Sequence, residues 1–149
     1  MNNYPQAALT FLILPLALFA QVDSTSKVKV TTKLGKLDAK GCREVQVSLK
    51  IAKGWYVYAN PVGDRLLEGA ETVLTFPKDV KVLRIKYPKG EPRVVASINH
   101  RVYEKEVTLK ALICPKRKTS PIPIQVHVQA CDDVKGLCLL RGTVKVTAK

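Results

Sequence analysis

Charged residues are absent before Asp23, and histidine (2), methionine (1) and tryptophan (1) are scarce in this chain of 149 residues. The two histidines have no neighbours at the spacing of a four-ligand zinc or copper site, so we expect no bound metal. A glycine-rich phosphate loop, a Ser-His-Asp grouping and paired catalytic carboxylates are also missing. We therefore expect no cofactor and no small-molecule substrate.

The uncharged start of the chain contains one apolar run, Ala7–Ala20. Its length is typical of the apolar region of a signal peptide. It is interrupted by Pro15 and is shorter than the ~20 residues that a membrane-spanning helix needs, which makes an uncleaved anchor the weaker alternative. We expect residues 1–20 to be a signal peptide and residues 21–149 to be a single domain, periplasmic or secreted, that contacts membranes only through partners.

Lys and Arg outnumber Asp and Glu by 25 to 12, which gives a formal net charge of +13. Such a charge favours encounter with acidic proteins, anionic lipid or polyanions. Most of these cations alternate with apolar residues, as Lys27 and Lys29 do, and so belong to the solvated faces of strands. The run 116–118 has no aromatic neighbours and fits no nucleic-acid-binding motif, so we expect no nucleic-acid partner.

Apolar and polar residues alternate in one segment after another, as in half-buried β-strands. The predicted strands are Lys27–Lys33, Glu44–Ala52, Trp55–Ala59, Thr72–Phe76, Val80–Tyr87, Arg93–Ile98, Val102–Ile113, Ile124–Ala130 and Thr143–Thr147. Between them, Asn60–Glu71 has no regular pattern and is predicted to be a long loop. About seven to nine short strands, each with one apolar face, predict an all-β, immunoglobulin-like antiparallel β-sandwich, which we expect to be monomeric.

Four cysteines in an exported chain make disulfides the default expectation. In the strand that leads to Cys131, the apolar residues Ile124, Val126, Val128 and Ala130 alternate with polar ones. Because successive side chains of a strand point to opposite faces, Cys131 is predicted to lie on the polar face, away from the core. An exposed thiol is suited to chemistry more than to packing.

The residues between Cys131 and Cys138 turn the chain, with Gly136 available for a positive φ, so that the two cysteines clasp a hairpin. A disulfide across so short a loop stabilises the fold by about 2 to 3 kcal/mol, less than a long-range one. Strain in so short a loop would raise the reduction potential of this disulfide and so make it exchangeable. It could equally well only pin the hairpin, and the spacing leaves both interpretations open.

The charges near this pair act in opposite directions. Asp132 and Asp133 disfavour a thiolate at Cys131, whereas Lys135 and Arg141 favour one. The sequence does not say which of them lies closer.

Cys42 lies in a turn-like stretch and Cys114 ends a predicted strand. If they pair, their long loop makes theirs the structural disulfide, but a Cα separation beyond ~7 Å would exclude the bond. Both possibilities remain open.

Trp55, Val57 and Ala59 are expected on the core face of their strand, with Tyr56 and Tyr58 on the opposite face. These tyrosines would form either a cross-strand aromatic pair or a binding surface.

Several segments together resemble one known family. They are Ile51–Pro61 (IAKGWYVYANP), Tyr87–Gly90 (YPKG), Tyr103 before an apolar strand, and Gln129–Asp133 followed by Cys138–Leu140. Over residues 27–147 the chain resembles the N-terminal periplasmic domain of the thiol:disulfide interchange protein DsbD, here as a stand-alone domain.

The resemblance implies an immunoglobulin-type sandwich whose Cys131 and Cys138 exchange electrons with thioredoxin-like or membrane electron-transfer proteins, without a cofactor. The family also shields its cysteines with an aromatic-bearing cap loop, and the corresponding segment here, Ser97–His100, has no aromatic residue. A non-catalytic exported interaction module is the alternative, with structural disulfides and a partner bound at the basic surface or at Tyr56 and Tyr58.

Overall fold

The computed structural model describes residues 22–117 and 121–149, which form β-strands and two short 3₁₀ helices. The strands are β1 Val28–Leu34, β2 Arg43–Ile51, β3 Trp55–Tyr58, β4 Val73–Thr75, β5 Val80–Lys86, β6 Glu91–Val95, β7 Ile98–Glu104, β8 Glu106–Pro115, β9 Ile122–Val128, β10 Ala130–Asp132 and β11 Gly142–Ala148. The helices are Ser24–Lys27 and Arg65–Ala70.

These strands form three antiparallel sheets in two layers. One layer is the four-stranded sheet β1-β2-β8-β5. The other consists of a four-stranded sheet, β10-β3-β7-β6, and a three-stranded sheet, β11-β9-β4, which follow one another where β9 continues into β10. The predicted all-β, immunoglobulin-like sandwich is confirmed.

The core lies between the layers, because the alternation along each strand sends one apolar face inward. From the first layer, Val47, Leu49 and Leu109 are fully buried in this core, and from the second, Val57 and Val126. Trp55, expected in the core, is partly buried against it, with the Lys27 ammonium 4.6 Å from the centre of its ring.

Two predicted strands are divided in the structure. The segment predicted as Val102–Ile113 breaks at Lys105, whose left-handed backbone (φ 59°) marks the passage from β7 in one sheet to β8 in the other. The segment predicted as Arg93–Ile98 reverses at Ala96 and Ser97, both at positive φ, as a two-residue hairpin turn requires. Because left-handed positions are usually occupied by Gly or Asn, the sequence indicated neither break.

The stretch predicted as an irregular loop, Asn60–Glu71, contains the second 3₁₀ helix. Asp64 caps this helix, since its carboxylate accepts a hydrogen bond from the N–H of Leu66 at 2.9 Å. Val62 and Ala70 of this stretch are buried, so the segment covers one face of the β10-β3-β7-β6 sheet.

Two predictions fall on residues that the structure does not describe: the signal peptide 1–20, and Lys118 of the basic run. In the described ranges no helix has the length and apolar character needed to cross a membrane. His127, one of the two histidines, is half-buried on β9, and its two ring nitrogens are hydrogen-bonded to the hydroxyls of Thr75 and Thr143. Burial lowers the pKa of its imidazole.

Candidate functional site

Cys131 and Cys138 are joined by a disulfide at one end of the sandwich, with an S–S distance of 2.04 Å. The intervening residues form the expected tight turn, in which Gly136 adopts a φ of 65°. The N–H of Asp132 donates to the carbonyl of Leu137 at 2.8 Å, which holds the two sides of the turn together. Residues 131–138 are called the cysteine loop below.

The two bonded cysteines differ sharply in exposure. Cys138 is exposed, whereas Cys131 is completely buried at 0%. Cys131 points away from the main core, as predicted, but the prediction that it is exposed is wrong. β9 ends at Val128. The next strand, β10, belongs to a different sheet, where it pairs with β3 and places Cys131 opposite Tyr56.

Cys131 belongs to a second apolar cluster, on the outer face of the β10-β3-β7-β6 sheet. Its other buried members are Tyr56, Tyr58, Val62, Ala70 and Val102. The hypothesis that the two tyrosines form a binding surface is wrong, because both are buried. Their rings instead pack edge to face, with centroids 5.9 Å apart, beside the disulfide.

Tyr58 and His100 complete the cover of the site. The hydroxyl of Tyr58 donates a hydrogen bond to the Sγ of Cys138 at 3.7 Å. The imidazole of His100 lies 5.5 Å from the ring of Tyr58 and is 4% exposed. Its Nδ1 donates to the carbonyl of Ile98 at 3.1 Å, while its Nε2 has no hydrogen-bond partner among the described residues.

Arg93 on β6 makes ionic contact with the cysteine loop. Its guanidinium lies 2.5 Å from the carboxylate of Asp133 and 2.6 Å from that of Glu104 on β7. It also lies over the ring of Tyr56, 4.3 Å from the ring centre. Burial alone would lower the pKa of Arg93, but the hydrogen bonds and charges of the two carboxylates outweigh it and raise that pKa.

Asp132 in the cysteine loop and Arg141 just beyond it are hydrogen-bonded to the backbone. The carboxylate of Asp132 accepts hydrogen bonds from the N–H groups of Lys135 and Val134, which lower its pKa. The guanidinium of Arg141 donates to the carbonyl of Gly69, in the second 3₁₀ helix, and to that of Glu71.

Ser24, in the first 3₁₀ helix, anchors both ends of the cysteine loop. Its buried hydroxyl donates to the carbonyl of Leu140 at 2.7 Å and accepts from the N–H of Ala130 at 2.8 Å. Its own N–H donates to the same carbonyl of Leu140 at 3.0 Å. The chain before Cys131 and the chain after Cys138 are thus held by one side chain.

Cys42 and Cys114 form the second disulfide, which resolves their open pairing. Their Cα atoms are 4.1 Å apart, and the bond spans 72 residues between the start of β2 and the end of β8. It therefore lies in the other sheet from the cysteine loop.

Comparison with known proteins identifies the family. The family model for the N-terminal domain of the thiol:disulfide interchange protein DsbD matches residues 19–149. The chain belongs to this family. A search of curated protein sequences found no match.

Solved structures of DsbD N-terminal domains share the fold. The Neisseria meningitidis DsbD N-terminal domain in the reduced form has a TM-score of 0.55 at 20% identity, over 83% of this chain and 84% of that one. The complex of the DsbD and PilB N-terminal domains from the same species gives 0.50 at 18% identity, over 79% and 80%. The N-terminal periplasmic domain of ScsB from Proteus mirabilis gives 0.57 at 18% identity, over 80% of this chain and 44% of that one. At these identities the likeness shows the fold alone.

The sequence pattern singled out neither Ser24 nor Arg93. It placed Tyr58 on the correct face of its strand but not next to a cysteine. The register of β10 with β3 brings Tyr56 opposite Cys131, and no local pattern reveals that pairing.

Proposed function

We propose that this chain is an exported thiol-disulfide redox protein that exchanges electrons with partner proteins through Cys131 and Cys138, without a bound cofactor. The observation that carries the proposal is the unequal exposure of the two bonded cysteines, one open to solvent and one completely buried. An incoming thiolate therefore has one accessible sulfur, Cys138, to attack.

In the reducing direction, a partner thiolate attacks the Sγ of Cys138. A bond forms between the partner's sulfur and the Sγ of Cys138. The Cys131–Cys138 bond breaks, and its electron pair stays on Cys131, which leaves as a thiolate. A second cysteine of the partner then attacks the partner sulfur that is bonded to Cys138, and Cys138 is released as a thiolate. Two electrons have moved to this chain, and the partner has become a disulfide.

In the opposite direction, the Cys138 thiolate attacks an oxidised partner. The mixed disulfide is then resolved by the Cys131 thiolate, which attacks Cys138 and releases the reduced partner. Cys138 is thus the residue that contacts partners, and Cys131 is the resolving cysteine.

Exposed apolar side chains on the flanking segments provide a surface for such a partner. In the cysteine loop and just after it, Val134, Leu137 and Leu140 are 90%, 66% and 57% exposed. Val94 at the end of β6 and Leu66 in the second 3₁₀ helix are exposed as well. Because large exposed apolar patches mark interaction sites, these residues favour a partner that presents an apolar rim around its own cysteine.

Relatives agree with a protein partner of this kind. A DsbD N-terminal domain from Neisseria meningitidis has been solved in complex with the N-terminal domain of PilB, and that domain has also been solved in its reduced form. We propose thioredoxin-like or membrane electron-transfer proteins as the partners of this chain. We further propose a periplasmic or secreted single domain over residues 21–149, released from a signal peptide at 1–20.

The sizes of the two disulfide loops also separate their roles. Loop-closure entropy gives the Cys42–Cys114 disulfide, with a separation of 72 residues, a stabilisation of about 4.4 kcal/mol. The same relation gives about 2.5 kcal/mol for Cys131–Cys138, with a separation of 7. Opening the short loop therefore costs less of the folding free energy.

The deciding experiment is a redox titration of the purified chain against glutathione, with mass labelling of thiols to assign each cysteine. We expect Cys131 and Cys138 to titrate together at a potential above roughly −250 mV, within the range of exchange-active pairs. A potential below about −300 mV, typical of structural disulfides, would contradict the proposal.

A further inference from the structure

Arg93 connects three elements at the disulfide. It lies on β6, bonds Glu104 on β7 and Asp133 in the cysteine loop, and covers the ring of Tyr56 on β3. Its side chain is only 22% exposed, so these charges interact in a partly desolvated site.

Tyr56 links Arg93 to the buried cysteine. In the register of β10 and β3, Tyr56 lies directly opposite Cys131, and opposite residues of paired strands have neighbouring side chains. Arg93 therefore lies on the ring that packs beside Cys131, and its ion pair with Asp133 is formed two residues along the chain from that cysteine.

The charged and titratable groups around Cys131 come from several elements. They are Tyr56 and Tyr58 on β3, Arg93 on β6, His100 and Glu104 on β7, and Asp132, Asp133 and Lys135 in the cysteine loop. Without Arg93, Asp133 and Glu104 would leave uncompensated negative charge next to a cysteine that must itself become negative. Among the described residues, Arg93 is the cation in ionic contact with these carboxylates.

We propose that Arg93 is a positioning residue that stabilises the thiolate which Cys131 becomes when an incoming thiolate attacks Cys138. The inference rests on the proposed function. It identifies Arg93 as the positive charge that this exchange step requires. As the Cys131–Cys138 bond breaks, its electron pair remains on Cys131 in a buried position. The guanidinium, fixed by two carboxylates and the Tyr56 ring, offsets that new charge.

A purely mechanical role for Arg93 predicts the opposite result. If the ion pair only clamps β6 to the cysteine loop, removing either partner loosens the loop and speeds reduction. In the charge role, removing Arg93 makes Cys131 a poorer leaving group and slows reduction, whereas removing the negative charge of Asp133 speeds it. The two substitutions break the same ion pair, so the sign of their effects separates the roles.

The experiment measures the rate at which dithiothreitol reduces the Cys131–Cys138 disulfide in the folded chain, by quenched mass labelling. Arg93→Gln is expected to slow reduction severalfold, because the Cys131 thiolate becomes a poorer leaving group. Asp133→Asn is expected to speed reduction, and Arg93→Lys, which keeps the charge but not the planar fork of the guanidinium, to slow it less than Arg93→Gln does.

Acceleration by Arg93→Gln, or an unchanged rate, would overturn the proposal. If circular dichroism shows that Arg93→Gln does not fold, the other two variants still test the charge role. Slower reduction of Asp133→Asn, or faster reduction of Arg93→Lys, would contradict it. Dithiothreitol needs no protein partner, so these rates can be measured even if the chain exchanges electrons with no protein. A failure of the proposed function is therefore distinguishable from a failure of the role assigned to Arg93.

Discussion

Ser24 and Ala130 are 106 residues apart in the sequence, yet the hydroxyl of Ser24 accepts a hydrogen bond from the N–H of Ala130 at 2.8 Å. Ser24→Ala leaves the buried N–H of Ala130 without its partner, whereas the carbonyl of Leu140 keeps the bond from the N–H of Ser24. A buried backbone group without a partner costs about 1–3 kcal/mol, so we expect a loss of that size in the free energy of unfolding. Denaturant unfolding measures it, with Ser26→Ala, an exposed neighbour, as the control.

The cysteine that contacts partners can be identified by trapping. Cys131→Ser retains the exposed Cys138, so it is expected to react rapidly with Ellman's reagent and then to form a covalent complex with a thioredoxin variant that keeps only its attacking cysteine. Cys138→Ser retains only the buried thiol of the pair and is expected to react at least about tenfold more slowly, since reactivity requires access. Equal rates of reaction with Ellman's reagent, or equal amounts of covalent complex on non-reducing gels, would contradict the assigned roles.

The hydrogen bond from Tyr58 to Cys138 should favour the reduced state, because a thiolate is a stronger acceptor than a disulfide sulfur. Tyr58→Phe keeps the buried ring and removes the donor, and we expect the pKa of the Cys138 thiol to rise. The pH dependence of iodoacetamide labelling of the reduced chain measures this pKa. Tyr87→Phe, which removes a hydroxyl bonded to the backbone of Leu74, is the control that should leave it unchanged.

The exposed apolar side chains near Cys138 should matter for partners but not for small thiols. Leu137→Ser is expected to lower the rate of exchange with thioredoxin by about tenfold, a cost of about 1.4 kcal/mol in association, and to leave reduction by dithiothreitol nearly unchanged, because it adds no charge beside Cys138. Leu83→Ser changes an exposed leucine on β5, in the opposite layer, and should affect neither rate. A parallel loss in both variants would contradict a contact specific to the surface around Cys138.

Acid should loosen the cysteine loop through Asp132. The N–H of Lys135, followed by that of Val134, lowers the pKa of this carboxyl below its ordinary value of 3.8. Its contribution to stability is therefore complete above that value and is lost as the pH falls toward the lower folded-state pKa, because the unfolded chain binds the proton first. We expect Asp132→Asn to show a smaller loss of stability between pH 5 and pH 3 than the wild type, and denaturant midpoints at the two pH values test this.

The alternation of apolar and polar residues was sufficient to predict the fold class and the position of most strands, because half-buried strands require it. It failed where the chain changes sheet without changing its pattern. Val126, Val128 and Ala130 are all buried and in phase, so nothing marks the passage from β9 to β10 at Gln129. Cys131 keeps its predicted position away from the main core, but in the new sheet that outer face is covered by an apolar cluster, which buries the cysteine.

For the site itself, spacing was enough to bring Cys131 and Cys138 together and to give Gly136 its positive φ. The residues around them could not be predicted, because Ser24, Tyr58 and Arg93 are 38 to 107 residues away from Cys131 in the sequence and come near it only in the folded chain. Local patterns carry no information on such register.

The Cys42–Cys114 disulfide gives each molecule an internal reference. Both disulfides experience the same reductant, temperature and protein concentration, but they lie in different sheets and close loops of very different length. The ratio of their opening rates in one sample therefore cancels errors in reagent dose and in the amount of folded protein. Variants near the cysteine loop can be ranked by that ratio without separate calibration.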